Sequence, residues 1–229
     1  MGSTWKTGGF AALALIAVVG CGPATSAAAK PMTPAGELQS RWWTWAASEP
    51  EKTNPVADED GSSCARNQPE DVWFLAGTFG GSVKRACTVP EGRPLVFPVV
   101  NSFGDGLDCL EFMEDAEGTA ILDGQPIESE VYTGDTITVE ALDGNAVTGE
   151  REHFTTTGCG LWVRMPAPGL GGHILQISGR SGDLSVDVEY RLTVEERPKD
   201  SDGRLTDQAQ ALIGTPTDAV LAAVRTGLL

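Results

Sequence analysis

The sequence predicts a mainly β protein: an antiparallel β-sandwich of the jelly-roll or immunoglobulin-like type, with a short N-terminal helix and a C-terminal helical tail. Strand-like apolar runs follow one another at short spacing, and the 28 glycines suit the turns between them. Almost no helical pattern separates these runs. The segment LSVDVEYRLTV alternates apolar and polar residues, which is typical of an antiparallel strand with one solvated face.

The amino terminus has the pattern of an export signal. Lys6 is followed by an apolar run over Phe10–Val19, too short for a transmembrane helix, which needs roughly 20 residues. A basic start and a short apolar core predict a signal peptide over residues 1–20.

Two valines and a glycine stand directly before Cys21. This resembles the bacterial lipobox, which implies cleavage after Gly20, a diacylglyceryl group on the Cys21 thiol and acylation of the new amine. Two or more acyl chains hold a protein firmly on a membrane. We therefore expect a lipid anchor on the outside of a bacterial cell membrane. The alternative is ordinary secretion, with cleavage in the later SAAAKP stretch.

Composition divides the rest of the chain. Residues 21–32 are small, apolar or proline and predict a flexible tether. Residues 33–194 predict the β-sandwich domain with its N-terminal helix. Residues 195–204 are charged and predict a linker, and residues 205–229 predict the helical tail, which has a Thr-Pro-Thr-Asp start signal.

The N-terminal helix is predicted to begin at Thr33-Pro34, with threonine as N-cap, and to end before Pro50. Leu38, Trp42 and Trp45 recur at helical spacing and predict a face packed on the sheet. Trp43 lies off this stripe and is the candidate ligand-binding residue, because an indole face can stack on a sugar ring or hold a cation.

The predicted strands follow in order. DVWFLAGT is apolar on both faces, as a central strand is. Pro98 in RPLVFPVVN cannot donate to a ladder and predicts an edge strand or a bulge. Asp123-Gly124 in TAILDGQPIES predicts a tight hairpin. The segments DTITVEAL, HFTTTGCGLWVRM, HILQIS and LSVDVEYRLTV predict the remaining strands.

Charge excludes one class of partner. The chain has 16 basic and 32 acidic residues, a formal net charge of −16. Such a surface repels phosphate backbones, so we predict no binding of nucleic acid. It suits cationic ligands or divalent ions.

Four cysteines remain once Cys21 is assigned to lipid, and an even count in an exported chain predicts disulfides. Three pairings are possible, and we favour the sequential, non-crossing one, Cys64–Cys87 with Cys109–Cys159. A zinc site is the rival interpretation, but the chain has no C-x-x-C pair.

No cofactor or metal is predicted, with calcium as the alternative. Several carboxylates lie close together in Asp58–Gly61 and in Gly104–Asp115. Calcium binds six to eight oxygen ligands, which such stretches can supply. Neither stretch has the spaced ligands of an EF-hand, so solvated turns are the plainer interpretation.

No catalytic residue is predicted, and we expect no enzyme. The paired carboxylates Glu111 and Glu114 could cleave a glycosidic bond, but pairs arise by chance in so acidic a chain. The G-x-S-x-G and H-E-x-x-H motifs are missing. His153 could serve as a base, whereas His173 opens a strand and is interpreted as structural.

A group of motifs from the Trp-x-x-Trp helix to the last strand resembles an uncharacterised family of exported bacterial β-sandwich proteins. The resemblance implies fold and export, and no activity; it does not extend to the tail. Its motifs are Trp42 and Trp45, Asn54-Pro55, Asp60–Cys64, Val72–Thr78, Cys87–Pro90 and Phe97–Asn101.

The sequence therefore predicts a lipid-anchored extracytoplasmic protein of the cell envelope that binds or scaffolds a partner. Its expected partners are the membrane, through the anchor, and a cell-wall glycan or an envelope protein. A carbohydrate-binding module is the alternative, and a secreted hydrolase is a further one. A cleft holding His153 or convergent carboxylates would favour the hydrolase.

Overall fold

The computed structural model describes residues 34–197. The predicted signal peptide, Cys21, the tether, most of the linker and the tail over 205–229 lie outside the described residues. So does Thr33, the predicted N-cap. The predictions for these segments stay predictions.

Nine strands and two helices make up the described chain. The helices are α1 (Ala35–Ala46) and α2 (Gly106–Glu114), and a 3₁₀ turn covers Glu51–Thr53. The strands are β1 (Trp73–Phe74), β2 (Gly81–Pro90), β3 (Leu95–Gly104), β4 (Glu117–Leu122), β5 (Gln125–Ile127), β6 (Glu130–Ala141), β7 (Glu152–Met165), β8 (Gly171–Ser181) and β9 (Leu184–Glu195).

The strands form two sheets, with orders β1-β3-β7-β6 and β2-β9-β8-β4-β5. Five of the seven strand pairings described are antiparallel, whereas β1 with β3 and β2 with β9 run parallel. The predicted antiparallel pairing therefore holds for most of both sheets, and the two parallel pairings are where the structure departs from the prediction. Two packed sheets fit the predicted β-sandwich, and its jelly-roll or immunoglobulin-like type stays a prediction.

The main core lies between the sheets. Each sheet turns alternate side chains inward, and on β9 these are the apolar set that the alternating pattern predicts. The inward residues of β9 are Val186, Val188, Tyr190, Leu192 and Val194, and they meet Leu95, Phe97, Leu161 and Val163 of the four-stranded sheet.

A second core lies on the other side of the four-stranded sheet, under α1. The predicted stripe of Leu38, Trp42 and Trp45 is buried there, against Phe74 and Trp162 among others. Trp42 also donates from Nε1 to the Leu75 carbonyl at 3.0 Å. Helix α1 therefore adds a third layer to the sandwich, as the stripe predicts.

Helix α1 also closes the free edge of β6. The hydroxyl oxygens of Ser40 and Thr44 accept the backbone N–H groups of Thr138 and Glu140, at 3.0 and 3.1 Å. Ser40 and Thr44, one helical turn apart, therefore lie at the same spacing as Thr138 and Glu140, two residues apart on β6. An open edge invites pairing with other chains, and these hydroxyls occupy it.

A buried arginine fastens the long loop after α1 to β2. Arg85 is 2% exposed and donates to the carbonyls of Val56, Asp58, Ala76 and Gly77 over 2.6–3.0 Å. It also donates to the Tyr190 hydroxyl at 2.8 Å. The loop is thereby held against the outer edge of β2.

Two local features follow the sequence. Asp123 and Gly124 both have positive φ between β4 and β5, the geometry of a type I′ hairpin turn. Pro98 stands at a shift of register in β3, where β3 has passed its last pairing with β1 at Val96. The predicted hairpin and the predicted bulge are both confirmed.

Segment DVWFLAGT differs from its prediction. It contributes only the two-residue strand β1, at the edge of the four-stranded sheet. Its side chains are nevertheless buried on both faces, since Trp73 enters the main core and Phe74 enters the core under α1. The five-stranded sheet covers the side of Trp73 and α1 covers the side of Phe74, so both faces are buried although β1 lies at a sheet edge.

Candidate functional site

The outer face of the five-stranded sheet is open to solvent and is the candidate binding surface. It carries the polar half of each alternating strand. One row of side chains crosses four strands in register: Ser82, Asp187, Ser178 and Thr119. The carboxylate of Asp187 lies between two hydroxyl-bearing neighbours and makes no ion pair within residues 34–197.

A second row lies two residues along the same strands. It consists of Lys84, Glu189, Gln176 and Ile121. The Lys84 ammonium lies 3.4 Å from the Glu189 carboxylate. We name these two rows together the polar face.

The polar face is concave, with a cavity of about 450 Å³ above it. Strands lie about 4.8 Å apart, so hydroxyl, amide and carboxylate groups repeat at that spacing. Such an array can donate and accept hydrogen bonds with a ligand that carries several hydroxyl or amide groups. No aromatic side chain lines the described cavity.

A second cleft of about 430 Å³ lies between the end of α1 and the β6–β7 hairpin. It brings together His153, Glu140, Glu152 and Arg151, with Glu140 opposite His153 in register. This is the arrangement that the hydrolase alternative requires.

The hydroxyls of this cleft are engaged in the fold. Thr44 accepts from the Glu140 backbone. Ser48 donates to the Trp45 carbonyl at 2.7 Å and accepts from Asn67. The cleft therefore offers acid and base groups, with its hydroxyl groups already bonded within the protein.

Both predicted disulfides are present, with the predicted pairing. Cys64–Cys87 joins the loop after α1 to β2, with Cα atoms 6.1 Å apart. Cys109–Cys159 joins α2 to β7, with Cα atoms 5.7 Å apart. Disulfides persist in oxidising compartments outside the cytoplasm. These four sulfurs are consequently neither zinc ligands nor nucleophiles here.

Trp43 is not on an open surface. Its exposed fraction is 8%, and its ring packs edge-on against Trp42 and Phe103, with centroids 5.0 and 4.7 Å apart. The premise that it lies off the packed face is wrong, because the buried face of α1 is wider than the stripe. Trp43 belongs to the core under the helix.

The acidic stretch Asp58–Gly61 shapes a turn. The Asp58 carboxylate accepts from the backbone N–H groups of Asp60, Gly61 and Ser63 over 2.8–3.2 Å. Gly61 has φ +96°, and a Cβ there would stand 2.2 Å from the Ala86 carbonyl. Only glycine lets the loop approach β2 so closely.

The acidic stretch Gly104–Asp115 forms α2, a helix that the sequence analysis missed. Asp105 accepts from the Leu107 and Asp108 backbones, and Asp108 accepts from the Asp105 backbone, which makes a reciprocal capping box. The spacing Asp-x-x-Asp was the signal for it. Glu111 and Glu114 are exposed on α2 and line neither cleft.

Within residues 34–197 no group of three or more histidine, cysteine or acidic side chains is arranged to hold a metal ion. Calcium binding, the alternative to no metal, stays a prediction.

His173 is a structural histidine, as its position predicts. Its Nδ1 lies 2.7 Å from the Asp123 carboxylate and its Nε2 lies 2.8 Å from the Gly169 carbonyl. The hydrogen bond with Asp123 raises the pKa of His173, and the same bond lowers the pKa of Asp123. The pair ties the β4–β5 turn to the start of β8.

Comparison of the chain with protein-family models, with curated proteins and with solved structures finds no match. Among the described helices, none is long and apolar enough to cross a membrane.

Proposed function

We propose that the protein is a lipid-anchored, extracytoplasmic binding protein whose recognition surface is the polar face. The cysteine that ends the apolar run supports the anchor, and the resemblance to exported bacterial proteins supports the same compartment. The two disulfides agree with an oxidising environment.

One observation carries the choice of surface. The inner faces of the two sheets meet in the main core, and α1 covers the other side of the four-stranded sheet. Within residues 34–197 the outer face of the five-stranded sheet is uncovered and concave. It carries the carboxylate of Asp187, which makes no ion pair in this part of the chain, beside hydroxyl and amide groups. A rigid sheet presents these groups at fixed spacing, which lowers the entropy cost of binding.

The ligand that fits this face best is a carbohydrate of the cell wall. Sugar hydroxyls bond with the carboxylate, amide and hydroxyl groups that the two rows supply. Ile121 adds a small apolar contact. No aromatic side chain among residues 34–197 lines this cavity, so we expect weak binding to each site of a glycan strand.

Binding is favoured over turnover. A hydrolase needs an acid and a base on either side of a bound substrate. The cleft at His153 has such groups, but it lies on β6 and β7 of the four-stranded sheet, apart from the polar face that we propose as the binding surface. The polar face has no histidine.

The anchor is tested by intact-mass analysis of the protein extracted from membranes, before and after reduction. The expected mass corresponds to a chain that starts at Cys21, with acyl groups and two disulfides. A Cys21→Ser variant should lose the acyl mass and leave the membrane fraction. An unacylated mass that starts beyond Cys21 would contradict the anchor and leave the polar face untouched.

The recognition surface is tested with solubilised cell-wall glycan strands in a pull-down and by calorimetry. Asp187→Asn combined with Gln176→Ala should weaken binding at least 10-fold, with an unchanged unfolding midpoint. Asp143→Asn is the matched control, because it removes one exposed carboxylate outside the polar face. Equal losses in both variants would show that only overall charge matters and would contradict this surface.

A further inference from the structure

Helix α2 exposes two leucines one turn apart. Leu107 is 74% exposed and Leu110 is 60% exposed, so most of both apolar side chains is accessible to solvent. Residues three apart on a helix are surface neighbours. Together they form a continuous apolar ridge on the outward side of α2.

These leucines are not needed to hold the helix in place. The inward side of α2 does that with Cys109, which is buried and joined to Cys159, and with the half-buried Phe112 and Met113. The Ser181 hydroxyl also donates to the Phe112 carbonyl at 2.6 Å. The ridge is therefore presented on a rigid, disulfide-fixed element.

Two free carboxylates flank the ridge. Glu111 follows Leu107 by four residues and Glu114 follows Leu110 by four, which places each glutamate beside a leucine on the outward side. Both are exposed, and neither makes an ion pair or a side-chain hydrogen bond within residues 34–197. Asp105 and Asp108, by contrast, are occupied in the capping box.

We propose that this ridge, defined by Leu107, Leu110, Glu111 and Glu114, is a docking surface for a cationic, amphipathic segment of a partner protein. The occupant would bury both leucines and pair its lysine or arginine side chains with the two glutamates. Charge complementarity selects this occupant. A second copy would bring like charges together across the ridge, and an anionic lipid surface would repel them. The proposal does not depend on the polar face.

The test uses a synthetic amphipathic helical peptide of leucine and lysine, with a scrambled peptide of the same composition, titrated into the full chain by fluorescence anisotropy. The wild-type protein should bind the amphipathic peptide and bind the scrambled one at least 10-fold more weakly. Leu107→Ser with Leu110→Ser should weaken binding at least 10-fold. Because this double variant keeps the net charge, a loss reports the ridge rather than overall attraction.

Leu142→Ser with Leu170→Ser is the matched control, since these leucines are also exposed but lie in loops. It should change the affinity less than 2-fold. Glu111→Gln with Glu114→Gln should weaken binding and flatten its salt dependence, whereas Asp143→Asn with Glu150→Gln should do neither.

Three outcomes would overturn the proposal. The first is an equal loss in the ridge and control variants. The second is a wild-type dimer in sedimentation that the leucine variant abolishes, which would make the occupant a second copy. The third is binding to vesicles of anionic phospholipid that depends on the two leucines. Unchanged unfolding midpoints show that each variant is folded.

Discussion

The two sheets differ in how many of their faces are covered. In the four-stranded sheet Phe97 and Val163 point into the main core, whereas Val96 and Trp162 point toward α1. In the five-stranded sheet most inward side chains are apolar and most outward ones are polar. The sequence reflects this directly: RPLVFPVVN is a nearly continuous apolar run, and LSVDVEYRLTV alternates.

This difference separates the two tasks of the domain. A sheet covered on both sides contributes its side chains mainly to the two cores, and the cleft at the β6–β7 hairpin lies at its end. A sheet covered on one side can present a pattern of polar groups at low cost to the core. Substitutions should therefore act on stability in the first sheet and on binding at the outer face of the second.

The largest effect is expected at Arg85, the charged exception on the inner side of the five-stranded sheet. Arg85→Met would remove the arginine donor of the Val56, Asp58 and Gly77 carbonyls. Ala76 and Tyr190 would keep only the hydrogen bonds that they make with each other. Removing the charged partner of buried polar groups costs about 3–5 kcal/mol. Urea denaturation measures this loss in the free energy of unfolding. Arg191→Met, on the exposed side of β9, should change it by less than about 0.5 kcal/mol.

A matched pair of isoleucines tests the covered and open faces directly. Ile137 is 1% exposed under α1, whereas Ile174 is 41% exposed on the outer face. Ile137→Ala should lower the free energy of unfolding by about 2–5 kcal/mol, through lost burial and a cavity. Ile174→Ala should lower it by less than about 1 kcal/mol. Equal costs, measured by urea denaturation, would contradict the assignment of the two faces.

The edge of the four-stranded sheet provides a smaller effect. Ser40→Ala with Thr44→Val removes the acceptors for the Thr138 and Glu140 N–H groups. Each lost hydrogen bond should cost about 1 kcal/mol, and amide exchange at both positions should accelerate. Thr88→Val, at an exposed position of β2, is the control and should change neither. A double variant as protected as wild type would show that α1 does not close this edge.

The smallest effect concerns the far edge of the five-stranded sheet, where His173 meets Asp123. Asp123→Asn should lower the pKa of His173, which NMR titration of its ring protons measures. Because the folded pKa of His173 is raised, its contribution to stability is full below its unfolded pKa and is lost as pH rises through the folded value. The lowered pKa of Asp123 has the opposite sense: its contribution is lost as pH falls.

The pair should consequently be most stabilising between the unfolded pKa values of the two groups. Asp143→Asn should leave the titration of His173 unchanged. A His173 pKa that is the same in Asp123→Asn and in wild type would contradict the contact.

Local patterns predicted much of this fold. The alternation of β9, the Asp123-Gly124 hairpin, the bulge at Pro98 and the packed stripe of α1 depend on neighbouring residues only. The disulfide pairing that we favoured among the three possible ones, with two sequential loops, is the one present.

Contacts between distant segments were not predictable in this way. The parallel pairings of β1 and β2 depend on which strands meet in space. Trp43 is buried because the ring of Phe103, on β3, packs against it. Strand β2, which carries Arg85, was not among the predicted strands. The carbonyl partners of Arg85 come from loops that no short pattern brings together.

The candidate binding surface, the polar face, was not predicted from the sequence. The polar halves of four strands form the polar face only after the strands align in register. The sequence predicted Trp43 as the binding residue instead, because the aromatic cluster around it lies within a few consecutive residues. The rows of the polar face come from four strands that are spread along the sequence.

The parallel pairing of β2 with β9 sets the order in which the domain can be completed. Gly81 lies opposite Val186, so the first long strand of residues 34–197 cannot pair until their last strand is in place. Contacts between such distant residues fold slowly, since a long loop must close before they form. Until then the nascent chain holds an unmatched strand, and a chain that stops short of β9 would never bury it.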